Sequence, residues 1–85
     1  MRHSERPQVG LGKALWKLRD ERELTQETLA EKADLTGRTL SAIETGTANP
    51  TWATVRDIAA ALGVPLREIA ELAESYEERG RRSRK

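Results

Sequence analysis

Apolar residues recur at helical spacing in five stretches of the chain, and each stretch is closed by a turn signal. The first runs from about Leu11 to Arg22, with Leu11, Ala14, Leu15 and Leu18 on one face. Thr25 is an N-cap candidate for the second, in which Gln26 and Glu27 open the first turn and Leu29, Ala30 and Ala33 face inward. Asp34 breaks that helix where the chain needs a left-handed residue, a conformation Asp tolerates better than most. Thr36 caps the third, anchored by Leu40 and Ile43 and ended by Gly46. Pro50-Thr51 starts the fourth, whose stripe of Trp52, Val55, Ile58, Ala59 and Leu62 points to a core and is stopped by Gly63 and Pro65. The fifth begins near Pro65 and carries Leu66, Ile69, Leu72, Ala73 and Tyr76. Five helices joined by short turns predict an all-α bundle.

The ends read differently. Residues 1–8 are polar, contain Pro7 and predict a disordered arm; residues 79–85, with Gly80 and Ser83, predict a disordered basic tail. The domain is expected over residues 9–78, with no internal repeat and no coiled-coil heptad. At 85 residues the chain holds one small domain at most. Its apolar fraction is 36%, with only Trp16, Trp52 and Tyr76 as aromatics, so the core must be aliphatic. A stable core then needs several short helices packed economically, or a dimer that adds buried area.

Composition also excludes several kinds of chemistry. Without cysteine there is no disulfide scaffold, no thiolate nucleophile and no Cys-based metal site. The single histidine, His3, lies in a polar tail and cannot alone build a metal or general-base centre. The longest apolar run, Ile58–Leu62, is far too short to span a membrane, and no signal-peptide run follows the charged start. A cytoplasmic protein with no cofactor and no membrane association is expected.

A net charge of +1 hides an uneven distribution. Arg79, Arg81, Arg82, Arg84 and Lys85 place five cations and no acid in the last seven residues, which leaves the remainder at −4. Glu68, Glu71, Glu74, Glu77 and Glu78 against Arg67 make residues 65–78 strongly acidic. The bulk basic field that usually announces nucleic-acid binding is absent from the body of the chain. A DNA function has to rest on local placement of charge.

One stretch has that placement. Between Gln26 and Ile43, a helix of about two turns is followed by the turn Asp34-Leu35-Thr36 and a second helix, the arrangement that places one helix in the DNA major groove. Small Ala30 permits the close approach of a neighbouring helix. From Leu11 to about Leu72 the chain resembles the lambda-repressor-like, XRE-type helix-turn-helix regulators. The residues that carry the resemblance are Leu11-Gly12-Lys13, Leu18-Arg19-Asp20-Glu21-Arg22, Leu24-Thr25-Gln26-Glu27 and Leu29-Ala30-Glu31-Lys32-Ala33, followed by Leu40-Ser41-Ala42-Ile43-Glu44-Thr45-Gly46, Asn49-Pro50-Thr51 and Leu62-Gly63-Val64. The resemblance implies a five-helix DNA-binding domain with the helix-turn-helix at helices two and three. Two positions depart from the family pattern: Asp34 stands where glycine is usual, and Gly37 where many members carry a long base-contacting side chain.

With Leu40 and Ile43 inward, Arg38, Ser41, Ala42 and Thr45 point outward on the helical wheel. Arg38 is the one long donor among them, able to fork onto guanine O6 and N7 or to hold a phosphate; the bland alternative is a solvated surface arginine. Ser41 and Ala42 are small, and allow close approach and contact with a thymine methyl. Gln26 opens helix two, where free N–H groups favour an anion, and its family equivalent contacts the DNA backbone. The alternative there is an ordinary first-turn polar residue. Thr36 caps helix three in either reading and is also a candidate phosphate contact; Thr39, flanking the recognition face, is a weaker candidate of the same kind, and Gly37 lies between them on the DNA-binding side. Thr45, Thr47 and Asn49 occupy the following loop, which typically tracks the backbone in this family. Glu44 lies near the inner face, where an unpaired carboxylate is expensive, and the resemblance implies Arg19 as its structural partner. Lys13, Lys17 and Arg22 are expected at solvent, with a flanking phosphate in reach of one of them as the alternative. Trp16 falls off the apolar face of helix one, and covers helix five, joins a partner surface or is simply exposed.

Leu72, Ala73 and Tyr76 extend the stripe of helix five past what the core needs. That excess implies a two-fold dimer interface; the alternative is a longer contact within the chain. The leading expectation is a sequence-specific DNA-binding transcriptional regulator, most simply a repressor, binding palindromic operators as a homodimer through residues 36–45. A competing expectation is an antitoxin-like or anti-regulator module on the same fold, whose tail or acidic helix five binds a protein partner. An enzyme is not expected: no catalytic constellation is present, and Gly10-Leu11-Gly12 lacks the strand and spacing of a nucleotide fingerprint.

Overall fold

The computed structural model of the chain describes residues 8–83, with side chains through Gly80. Residues 1–7 of the expected arm, with His3, and Arg84 and Lys85 of the expected tail, lie outside the described residues. Five helices and no strand occur among the described residues: α1 (Val9–Glu21), α2 (Gln26–Lys32), α3 (Gly37–Glu44), α4 (Trp52–Leu62) and α5 (Leu66–Ser83).

The starts of α2, α3 and α4 share one local device. Thr25, Thr36 and Thr51 each sit in extended backbone, and each side-chain oxygen accepts the N–H of the residue three positions on, at 3.0–3.1 Å. That residue is a threonine every time. The cap hydroxyl donates in turn to Thr28, Thr39 and Thr54, at 2.9–3.0 Å. Each cap therefore satisfies an N–H that the helix leaves without a partner. The helix stops are as expected at Gly46 and Gly63, with φ of +81° and +77°. Asp34 adopts the expected left-handed turn at φ +60°, and Glu23, between α1 and α2, adopts one at +55° without a glycine to mark it.

Every helix contributes at least one fully buried large side chain: Leu15, Leu29, Leu40 and Ile43, Ile58, and Ile69. Burying each stabilises the fold by about 1.5–3 kcal/mol relative to exposure. α1 lies between α3 and α5 and packs against both. Its two glycines are the reason it can. A Cβ at Gly12 would stand 2.6 Å from the carbonyl oxygen of Ile43, and one at Gly10 2.7 Å from that of Ala73. α1 accordingly starts two residues before Leu11, and Gln8 is ordered as its N-terminal neighbour, accepting the Gly12 N–H at 3.0 Å. The expectation of a disordered arm is corrected at Gln8.

Two further expectations are corrected. Trp52 is 66% exposed rather than buried. It shares the stripe of Val55 and Ile58, but it is the first residue of α4, and side chains tilt toward a helix's N-terminus, which carries this one past the end of the core. At the other end, α5 runs on through Ser83, where a disordered tail was expected after Glu78. Arginine is a strong helix former, and a single glycine costs only about 1 kcal/mol, too little to end a helix already nucleated. The Arg79 guanidinium lies 5.3 Å from the centre of the Tyr76 ring, which ties the two sides of the expected boundary together.

Candidate nucleic-acid interface

α2, the turn at 33–36 and α3 form the expected pair of helices. Leu35 N–H donates to the Ala30 carbonyl at 2.7 Å, closing the turn, while Ala30 and Ala33 are buried where α3 approaches. α3 is eight residues long, anchored by Leu40 and Ile43. Its opposite side is open: Arg38 and Thr39 are exposed, and Gly37, Ser41 and Ala42 are half-buried. Among the described residues no polar side chain pairs with Arg38, the sole long cation on that helix.

The threonines divide by what their protons do. A phosphate only accepts, so a useful hydroxyl must have a proton to offer. Thr36 spends its proton on Thr39 at 3.0 Å. Thr45 donates to the carbonyls of Ser41 and Ala42, and Thr47 to that of Ala42 at 3.1 Å, closing the C-terminal end of α3. Thr39 accepts from Thr36 and keeps its own proton for a partner outside the chain. Thr45, Thr47 and Asn49 are all exposed on the loop after α3.

Behind α3 lies a buried polar node. Glu44 is 8% exposed, the one buried charged residue among the described residues. Arg19 grips it by Nε to Oε2 at 2.7 Å and Nη2 to Oε1 at 3.0 Å, and donates Nη1 to the Leu24 carbonyl at 2.7 Å. The hydrogen bond to Glu44 is the largest influence on Arg19, raising its pKa above the ordinary arginine value against the opposing effect of burial. Gln26 joins the same group, its Nε2 donating to Glu44 Oε1 at 2.9 Å. The node thus spans α1, α2 and α3, and every buried side-chain polar atom among the described residues has a partner. The Arg19–Glu44 pair was expected, but the tie to Gln26 was not; no spacing rule links residues 18 positions apart.

Arg22 is exposed, as expected, and also bridges two helix ends, Nε to the Leu62 carbonyl at 2.9 Å and Nη1 to that of Leu18 at 3.1 Å. An arginine placed near a helix C-terminus is the only sequence signal of that role. Trp16 is 46% exposed, a large apolar side chain left at the surface of the chain. On α5, Ala73 is buried against Gly10, so it is committed within the chain. Leu72 packs partly against the core and Tyr76 is half-buried. α5 packs on α1 and α4, which sets α1 between the acidic helix and α3. No helix among the described residues is long and apolar enough to cross a membrane.

Comparison with known proteins agrees with this architecture. The helix-turn-helix family profile matches residues 17–69. The immunity repressor protein of Bacillus phage phi105 is 41% identical over 59 residues, covering 69% of this chain; the chain spans only 41% of that relative's length. The crystal structure of the restriction-modification controller protein C.AhdI from Aeromonas hydrophila superposes with a TM-score of 0.72 at 32% identity, over 73% of this chain and 94% of that one. The clp gene regulator ClgR from C. glutamicum gives a TM-score of 0.79 at 25% identity, over 81% and 90% of the two chains. The chain therefore belongs to the helix-turn-helix family, in its XRE-type branch of DNA-binding transcription regulators.

Proposed function

We propose that the protein represses transcription by binding palindromic operators as a homodimer, with α3 in the major groove of each half-site. The observation that carries this reading is α3 itself, a capped helix anchored on one side by Leu40 and Ile43 and presenting Arg38 and Thr39 on the other. The phage relative is by name an immunity repressor and the Aeromonas relative a restriction-modification controller, which favours regulation of transcription over other uses of DNA. Arg38 reads guanine, Gln26 and Thr39 hold phosphates, and Ser41 and Ala42 let the groove close on the helix. Leu72 and Tyr76 keep part of their surface outside the chain's own core and form the pairing surface, to which Ala73 adds little. With Gly37 and Ala42 donating nothing from their side chains, DNA shape and half-site spacing supply much of the specificity. No cofactor or catalytic group takes part.

The test is capture of genomic fragments by the purified protein at moderate salt, followed by bulk sequencing. Enrichment of an inverted repeat is expected. Recovery of fragments in proportion to their abundance contradicts the reading and favours a protein-interaction module.

A further inference from the structure

We infer that Glu44 fixes the orientation of the Gln26 side-chain amide, and is thereby a positioning residue for the contact between Gln26 and a DNA phosphate. The inference rests on the DNA-binding reading above. A glutamine amide fits its site in two ways that differ by a half-turn and are nearly identical in shape, but one end donates and the other accepts. A phosphate accepts only, so the wrong half-turn presents it with a carbonyl oxygen and replaces attraction with repulsion.

Gln26 is the first residue of α2, half-buried, with Nε2 2.9 Å from Glu44 Oε1. The flipped amide would set its carbonyl oxygen at that distance from a carboxylate oxygen, two acceptors with no proton between them. Glu44 therefore excludes the flip. Of the two N–H groups on Nε2, one is committed to Glu44 and the other remains to donate outward. Arg19 completes the arrangement. By occupying both oxygens of Glu44 it cancels the charge, so that a carboxylate can lie behind the DNA-facing end of α2 without repelling the phosphate it helps to bind. Glu44 then has a role beyond holding the fold, and the two roles are separable.

A phosphate contact is independent of sequence, so a fluorescent DNA duplex of arbitrary sequence is a sufficient probe. Binding is measured for wild type, Glu44→Gln, Gln26→Ala and the double variant, at a temperature where circular dichroism shows each fully folded. Glu44→Gln should weaken binding about fivefold when Gln26 is present and by less than about twofold when residue 26 is alanine, the non-additivity of a coupled pair. Ile69→Val serves as the structural control: it thins the core beneath α5, away from Gln26 and Glu44, and should lower the melting temperature yet change the affinity of the folded protein by less than about twofold. If Glu44→Gln does not fold, Glu44→Asp carries the same cycle, its shorter side chain withdrawing from Gln26. Equal losses from Glu44→Gln in both backgrounds, or no loss in either, overturn the inference. Failure of wild type to bind the duplex at any low salt concentration overturns the DNA-binding reading as well, which distinguishes the two.

Discussion

Glu44, at the end of α3, is held at both carboxylate oxygens by the Arg19 guanidinium of α1, at 2.7 and 3.0 Å. With side-chain exposures of 13% and 3%, the pair is shielded enough to matter to stability. Glu44→Ala strands the Arg19 fork and the Gln26 amide together, and should destabilise the fold by about 1–3 kcal/mol. Thermal unfolding checks this, and a melting temperature equal to wild type contradicts it.

Gly12 and Gly80 are both helical glycines with opposite prospects. A Cβ at Gly12 collides with the backbone of Ile43 and Glu44, whereas at Gly80 nothing lies within 4 Å. Gly12→Ala should therefore cost about 1–3 kcal/mol through forced separation of α1 and α3. Gly80→Ala should be neutral or stabilising by up to about 1 kcal/mol, the difference in helix propensity. Denaturant midpoints that rank the two variants the other way would contradict the packing of α1 on α3.

Glu23 occupies the left-handed region at φ +55°, a conformation that costs a non-glycine residue roughly 1–2 kcal/mol. Glu23→Gly should raise stability by about 0.5–1 kcal/mol, part of the relief being lost to the freer unfolded chain. Asp34→Gly, at φ +60°, should gain less, because aspartate tolerates that region better. A drop in unfolding free energy for Glu23→Gly would show that the turn is not held as described.

Replacing Leu72 and Tyr76 by charged residues should leave a folded monomer that binds an operator weakly. Sedimentation checks the pairing surface. A wild type that stays monomeric at high micromolar concentration contradicts dimerisation in the free state, and unchanged dimerisation in the double variant moves the surface elsewhere.

What the sequence made legible is whatever depends on neighbours along the chain. The threonine caps and the left-handed Asp34 follow from local chemistry, and the helical stripes from the spacing of Leu15, Leu29, Leu40 and Ile58. Glu23 escaped because nothing in its residue type announces a left-handed turn. Trp52 was misplaced because a stripe records direction, not where the bundle ends. Arg22 and Gln26 could not be read, since their partners, Leu62 and Glu44, are brought close only by the tertiary fold. The end of α5 was misread because a run of like charges with a glycine resembles a tail in composition, while helix propensity within it points the other way.

Base reading by α3 through Arg38 is tested most directly by a binding-site selection from a random duplex pool, run in parallel with wild type and Arg38→Ala. Arginine can donate two parallel hydrogen bonds to one guanine, a contact that discriminates by about 1–3 kcal/mol. Wild type should recover an inverted repeat with a guanine preference at one position of each half-site. Arg38→Ala should lose that preference alone and bind the selected site about 1–3 kcal/mol more weakly. Gln26→Ala, in contrast, should keep the motif and weaken all sequences alike. If wild type and Arg38→Ala recover the same motif with the same preference at every position, Arg38 does not read a base and the account of α3 is wrong.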